Sequence, residues 1–207
     1  MAIFKSSTFG KISGKHGDAI AATTKDGKSI LKIYRAPSNP NTTKQQTQRA
    51  KFGLVVKELN CMRSLFTLTF GGQYGTNRAV SLAMKTAVMG EFPDFYIDYS
   101  KLIISIGNID NAANINIISV FATTIRLNWN TDVFTRSAHN DNVNLVFFNQ
   151  PSKMVILKQN FAIRSEGNVE VDLPASWIGS EIHCWMYFTT NNESSFSTSL
   201  YVGQLVL

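Results

Sequence analysis

The chain has 207 residues, is 44% hydrophobic and only 16% charged, and carries a formal net charge of +6. That is enough apolar material for a real core in one domain or two small ones, which excludes a disordered chain. No apolar run reaches the length of a membrane span. The opening MAIFKSSTFGKISGK also lacks the apolar stretch of a general secretory signal, so neither a membrane span nor export by that route is expected.

Residues 1–35 read as short strands punctuated by Gly10, Gly14 and Gly17. DAIAATT and SILKIYR flank Lys25-Asp26-Gly27-Lys28, and Asp-Gly between two β-prone runs predicts a hairpin. The segment SGKHGD lacks the spacing of a phosphate-binding G-x-x-x-x-G-K-[ST] loop, and no apolar strand leads into it. Its glycines are therefore assigned to turns.

Pro37 and Pro40 then force a turn, and Thr42 or Thr43 opens an amphipathic helix expected to run from Thr43 to Phe66. Gln45, Gln48, Phe52, Val55, Leu59 and Met62 recur at steps of three and four, which places them on one face. Gln45, Gln48 and Arg49 open that face before it turns apolar at Phe52, so they are read as anchors for another piece of backbone. Phe70-Gly71-Gly72-Gln73-Tyr74-Gly75 breaks the pattern. A second helix is expected from Asn77 to Met89, with Ala79, Leu82, Ala83 and Thr86 as a small-residue stripe and Gly90 as its stop.

From Phe95 the period changes to two. FYIDYSKLIISIG, VFATTIRLNWN, NVNLVFFN, MVILKQNFAI, VEVDLP, IHCWMYFTT and TSLYVGQLVL follow at intervals of about ten residues. Many short strands with that spacing predict an antiparallel sandwich of the immunoglobulin or fibronectin kind, with Trp129 as its buried tryptophan. The strand 182–188 is large on both faces: Ile182, Cys184, Met186 and Phe188 on one, His183, Trp185 and Tyr187 on the other. Such a strand is covered twice, by its own domain or by a partner. The fold class is thus α+β, mainly β. The hairpin with its helical pair occupies residues 1–92 and the sandwich residues 93–207.

The motif G-x-x-SGKxG at Gly10–Gly17, the strand ending at Arg35-Ala36-Pro37, and NPNT-x-x-Q…QR-x-x-F over Asn39–Phe52 carry a resemblance. With PDFYIDYSKLIIS and the ending LPASWIGSEIHCWMYFTT…YVG, the chain resembles a family of small proteins of unknown function. They occur in Bacteroidota genomes and in phages of those bacteria. The resemblance implies a lineage and a lean toward phage structural proteins. It brings no activity, cofactor or catalytic residue.

No catalytic constellation emerges from the residues. His16, His139 and His183 lack HExxH spacing, and His139 beside Asp141 in SAHNDN reads as a solvated pair. Glu91, Asp94 and Asp98 flank a proline turn. Cys61 and Cys184 read as buried reduced thiols. The expectation is a non-enzymatic structural protein without cofactor or metal. It self-associates or joins other proteins of a virion assembled in the host cytoplasm, with the bacterial cytoplasm as the alternative location. Gln45, Gln48, Arg49, Phe52, Trp129, Trp185 and Tyr187 are its candidate structural and interaction residues.

Charge supplies the alternative. Residues 1–70 carry 12 Lys and Arg against 3 Asp and Glu, and residues 71–207 carry 8 against 11. A basic half suits a polyanion or an acidic face of another subunit. Lys11, Lys15, Lys25, Lys28, Lys32 and Arg35 are the candidate polyanion contacts, and nucleic acid is the alternative partner. A receptor- or carbohydrate-binding surface module is a third reading, resting on the sandwich alone.

Overall fold

The computed structural model describes residues 2–4, 13–24, 27–36 and 38–207. The chain divides into two units, Met1–Thr42 and Thr43–Leu207. The first holds a four-stranded antiparallel sheet of β1 (Ala2–Phe4), β2 (Gly14–His16), β3 (Ala19–Thr23) and β4 (Ser29–Ile33), in the order β1-β4-β3-β2. The expected hairpin joins β3 to β4, with Thr23 opposite Ser29 and Gly27 at φ 76°. A positive φ of this kind costs glycine little, which is why Asp-Gly marks such turns. Lys25 and Asp26 of that turn, and Gly10 and Lys11 of the glycine segment, lie outside the described residues.

The second unit opens with α1 (Thr43–Leu59), which begins where the proline turn predicts. It does not continue to Phe66. A 3-10 turn over Asn60–Met62 separates it from α2 (Arg63–Thr69). Leu59 and Met62 leave the helical region at φ/ψ −94°/3° and −97°/10°. The apolar steps nevertheless carry on through the break, since Val55, Leu59, Met62, Leu65 and Phe66 are all buried. Periodicity alone therefore reads as one helix. Phe52 departs from that face and is 53% exposed.

The third helix, α3 (Gly75–Thr86), packs its small face inward, with Ala79 and Ala83 buried. Gly75 lets it approach α2, because a Cβ there would stand 2.2 Å from the Phe66 carbonyl oxygen. The helix ends at Thr86, short of the expected Met89. The residues that follow pair instead as a hairpin, β5 (Val88–Glu91) with β6 (Asp94–Ile97). Gly90 is thus a strand residue and not a helix stop. It sits at φ 87°, where a side chain would meet the Asp94 carbonyl oxygen at 2.3 Å.

The sandwich follows from β7 (Asn116–Ser119), β8 (Thr124–Asn128), β9 (Asn142–Asn149), β10 (Met154–Ile163), β11 (Asn168–Asp172), β12 (Glu181–Thr189) and β13 (Leu200–Val206). One antiparallel sheet runs β11-β8-β7 and the other β10-β9-β12-β13, as the strand spacing predicts. Between the sheets lie Ile125, Leu127, Trp129, Val143, Leu145, Phe147, Ile182, Cys184, Met186 and Phe188. The opposite faces of β9 and β12 present Val146, Phe148, Trp185 and Tyr187, and these share a second core with the three helices. The unit is therefore three layers deep: helices, a four-stranded sheet, a three-stranded sheet. The helices share this second core with the sandwich, and all three layers lie in the unit Thr43–Leu207.

Residues 102–107, expected as strand, run from the helical layer to the sandwich outside any sheet. Side chains hold their backbone. Ser199 Oγ accepts from the Ile104 and Ser105 amides at 2.9 and 3.3 Å, Thr69 Oγ1 donates to the Ile104 carbonyl at 2.7 Å, and Trp185 Nε1 donates to the Leu102 carbonyl at 3.0 Å. Buried backbone groups without a ladder partner need such substitutes.

Because Trp185 has no exposed surface and is shared by the helices and the sheet, Trp185→Ala is expected to cost about 3–5 kcal/mol. Helix and sheet signals should be lost together on heating, in the parent chain and in the variant, by far-ultraviolet circular dichroism and tryptophan fluorescence. A loss of helix signal separated from the tryptophan transition, both of which report on the second unit, would contradict the shared core.

Candidate functional site

The residues singled out in the sequence fall in different places. Trp185 and Tyr187 are fully buried under the helices, so they pack the fold and offer no surface to a partner. Trp129 directly follows β8 and is 5% exposed, with Nε1 donating to the Arg164 carbonyl at 2.8 Å. Gln45 is half-buried, and Gln48 and Arg49 are exposed, all on the first turns of α1. Gln48 joins Phe52 along a groove between α1 and α3. There Phe52 and Val80 line two hollows of about 410 and 200 Å³, and the 39%-exposed Val56 lines the smaller.

In the N-terminal sheet the strand register brings two of the candidate cations onto one face. Lys15 lies opposite Ile20 on one side, and Lys32 lies opposite Ile20 on the other. The Lys15 ammonium stands 4.1 Å over the Tyr34 ring. Lys28 lies in the β3–β4 turn and Arg35 just beyond β4, both exposed. Lys11 and Lys25 lie outside the described residues.

The expected solvated pair of His139 and Asp141 is replaced by a buried one. The Asp141 side chain is 3% exposed and faces Arg164, which is fully buried, with Nε and Nη2 both 3.3 Å from Oδ2. Arg164 Nη2 also donates to the Asp110 carbonyl at 2.7 Å, and the guanidinium lies 3.9 Å over the Phe188 ring. Asp141 Oδ2 accepts the Ala138 amide at 2.8 Å as well. These bonds tie the SAHNDN loop, the start of β9 and the end of β10 together. Hydrogen bonds from Nε and Nη2 and the Phe188 ring offset part of the cost of taking this charge pair out of water, while Arg164 Nη1 is buried without a hydrogen-bond partner.

The polar group that the sequence does not assemble is a cleft around His183. Helices α1–α3 cover Trp185 and Tyr187 but leave the neighbouring stretch of β12 and β13 open. Tyr96 and the 3-10 turn Tyr99–Lys101 form its other wall. The cleft holds about 450 Å³, within the ~300–1,000 Å³ of small-molecule sites. His183 is its floor. Nδ1 lies 2.9 Å from the Tyr201 hydroxyl, and Nε2 lies 3.3 Å from Gln150 Oε1 and 3.5 Å from Glu181 Oε1. Two oxygen acceptors face Nε2, so the neutral ring carries its proton there and Nδ1 accepts from Tyr201. The Tyr99 ring lies 4.4 Å away, inclined by 31°, and its hydroxyl reaches back to Glu58 at 3.0 Å, which Lys153 also pairs. Gln204 stands directly opposite His183 on β13, and Tyr96 at the rim is 60% exposed.

The ionisation of the cleft follows from its burial. Burial pulls the His183 imidazole below its ordinary value, with the Glu181 carboxylate opposing. Burial also pushes the Tyr201 phenol up to about 12, so it serves as a hydroxyl donor throughout the neutral range. The two thiols are free; burial pushes Cys61 up and Cys184 far up, so neither is a nucleophile. Among the described residues no group of three or more His, Cys, Asp or Glu is placed to hold a metal ion, and no helix is long and apolar enough to cross a membrane. The cleft's lining offers hydrogen-bonding side chains and aromatic rings.

A histidine held neutral in the fold takes up a proton more readily when unfolded, so folding stability falls as pH drops below about 6.5. The melting temperature should fall between pH 7.5 and 5, and fall less in His183→Asn. Equal slopes in both proteins would show that His183 is not the titrating group.

Residues 11–203 match the model of a family described as a family of unknown function (DUF6266). No curated protein matches the chain.

Proposed function

The chain belongs to that family, and we propose that it is a non-enzymatic structural protein that associates with copies of itself. The observation that carries this is Phe52. A phenylalanine 53% exposed, with Val56 nearby and two hollows that it lines, is a knob with receptive surface next to it. The opposite charge of the basic and acidic halves adds a head-to-tail attraction. The setting proposed is the virion of a Bacteroidota phage or prophage, assembled in the host cytoplasm. It is supported by the resemblance of the SGKxG and NPNT segments to proteins of such phages.

Size-exclusion chromatography with light scattering at about 50 and about 500 mM salt, which brackets the screening length, tests the reading. A discrete oligomer is expected at both salts, and Phe52→Lys is expected to give a monomer with little change in melting temperature. A parent chain that is monomeric at both salts would overturn it.

A second reading has its own observation, the Lys15–Ile20–Lys32 row with Tyr34 beneath Lys15. Two cations and an aromatic ring on one sheet face suit a single-stranded polyanion. Binding of an oligothymidylate at low salt should weaken in the Lys15→Gln, Lys32→Gln double variant. The slope of log K against log salt should shallow by about two phosphate contacts. An unchanged slope excludes this face.

A further inference from the structure

We propose that the His183 cleft is a binding site for a neutral, hydroxyl-rich ring, a pyranose sugar or a short saccharide. Its opening is a consequence of layer size. The helical layer ends at Tyr99, while β12 and β13 continue past it, so polar residues of the sheet's outer face line a hollow in place of apolar ones. What converges there is chemically mixed in a particular way. Gln150, Glu181 and Gln204 present planar amide and carboxylate groups, which pair with vicinal hydroxyls through two oxygens or an oxygen and an N–H. Tyr96 presents a largely exposed ring at the rim, a surface for the C–H face of a sugar.

The floor is already organised. His183 is 4% exposed and held on both nitrogens, by Tyr201 on one side and by Gln150 and Glu181 on the other. The histidine–glutamine contact uses Gln150 Oε1 and so leaves its amide N–H groups for a ligand. The histidine–carboxylate contact uses Glu181 Oε1 and leaves the second oxygen, on a side chain 39% exposed. A floor fixed before binding reduces the ordering a weak ligand must bring about. Asp98 adds little negative charge toward the cleft, because Ser100 and Lys101 satisfy its carboxylate. With a neutral imidazole at the centre and one unneutralised carboxylate, Glu181, the cleft disfavours an anion, and its remaining lining groups are amides, hydroxyls and aromatic rings that a neutral hydroxyl-rich ligand can satisfy.

Saturation-transfer NMR on the full chain with D-glucose, D-mannose and N-acetyl-D-glucosamine tests the site, with N-acetyl-lysine amide as the cationic comparison. At least one of the three sugars is expected to bind. Glu181→Gln should weaken that binding about tenfold, as expected for loss of a charge-assisted hydrogen bond. Tyr96→Ala should weaken it about fivefold. Both residues are exposed enough to change without unfolding the chain, which unchanged melting temperatures would verify. Failure of all three sugars, binding that neither substitution weakens, or binding of the lysine amide in their place would each overturn the proposal. Self-association through Phe52 is unaffected by any of these outcomes, so the two readings fail independently.

Discussion

Two adjacent strands, β9 and β12, are apolar on both faces, and the second unit is arranged around covering them twice. A sandwich alone covers one side. It would leave Val146, Phe148, Trp185 and Tyr187 against water, a patch of the size that soluble proteins bury or use as an interface. The three helices take that side, and the price is a segment, 102–107, that must cross between layers without a sheet of its own. Its carbonyls and amides are held by Thr69, Trp185 and Ser199, one from the helices and two from the sandwich. The crossing is where the two cores become one structure.

That arrangement also decides which surfaces are left for partners. The strand expected to meet a partner is buried along nearly its whole length, and two of the surfaces that stay exposed lie at the margins of the helical layer. On one margin α1 turns Phe52 outward beside α3. On another the layer runs out over β12 and β13, and His183 sits at the bottom of the resulting step. The first margin is apolar and the second polar, so they suit different kinds of partner.

Much of this was legible in the chain. Strands recurring at about ten residues, separated by Asn, Ser, Gly and Pro, report turn chemistry and a two-residue period, both local properties. The Asp-Gly hairpin and the start of α1 after the proline turn are local in the same sense. Where the reading failed, the deciding contact was distant in sequence. Apolar spacing runs unbroken through Asn60–Met62, so the change of helix type leaves no trace in the pattern. Phe52 fits the stripe by its spacing, yet the layer beneath α1 does not extend to it. Gly90 looks like a helix stop until Asp94 pairs across from it. Asp141 reads as the partner of His139, two residues away, because nothing local announces Arg164. The His183 cleft draws on Tyr96, Gln150, Glu181 and Tyr201, four separate stretches whose meeting is decided by sheet order and by where the helices end.

The order of the layers along the chain bears on how the protein comes to be folded during synthesis. The helices leave the ribosome first, and the surface they need comes last. Val146 and Phe148 follow α3 by some sixty residues, and Trp185 and Tyr187 come near the C-terminal end. Contacts of such long sequence separation form slowly. Until then the buried stripe of α1 and α2 is uncovered. Between Thr86, the end of α3, and Glu181, the start of β12, the nascent chain holds amphipathic helices without their full sheet, the type of species that chaperones engage. The last two strands therefore act as the step that commits the chain, and a ribosome stalled before β12 would hold a product unable to complete either core.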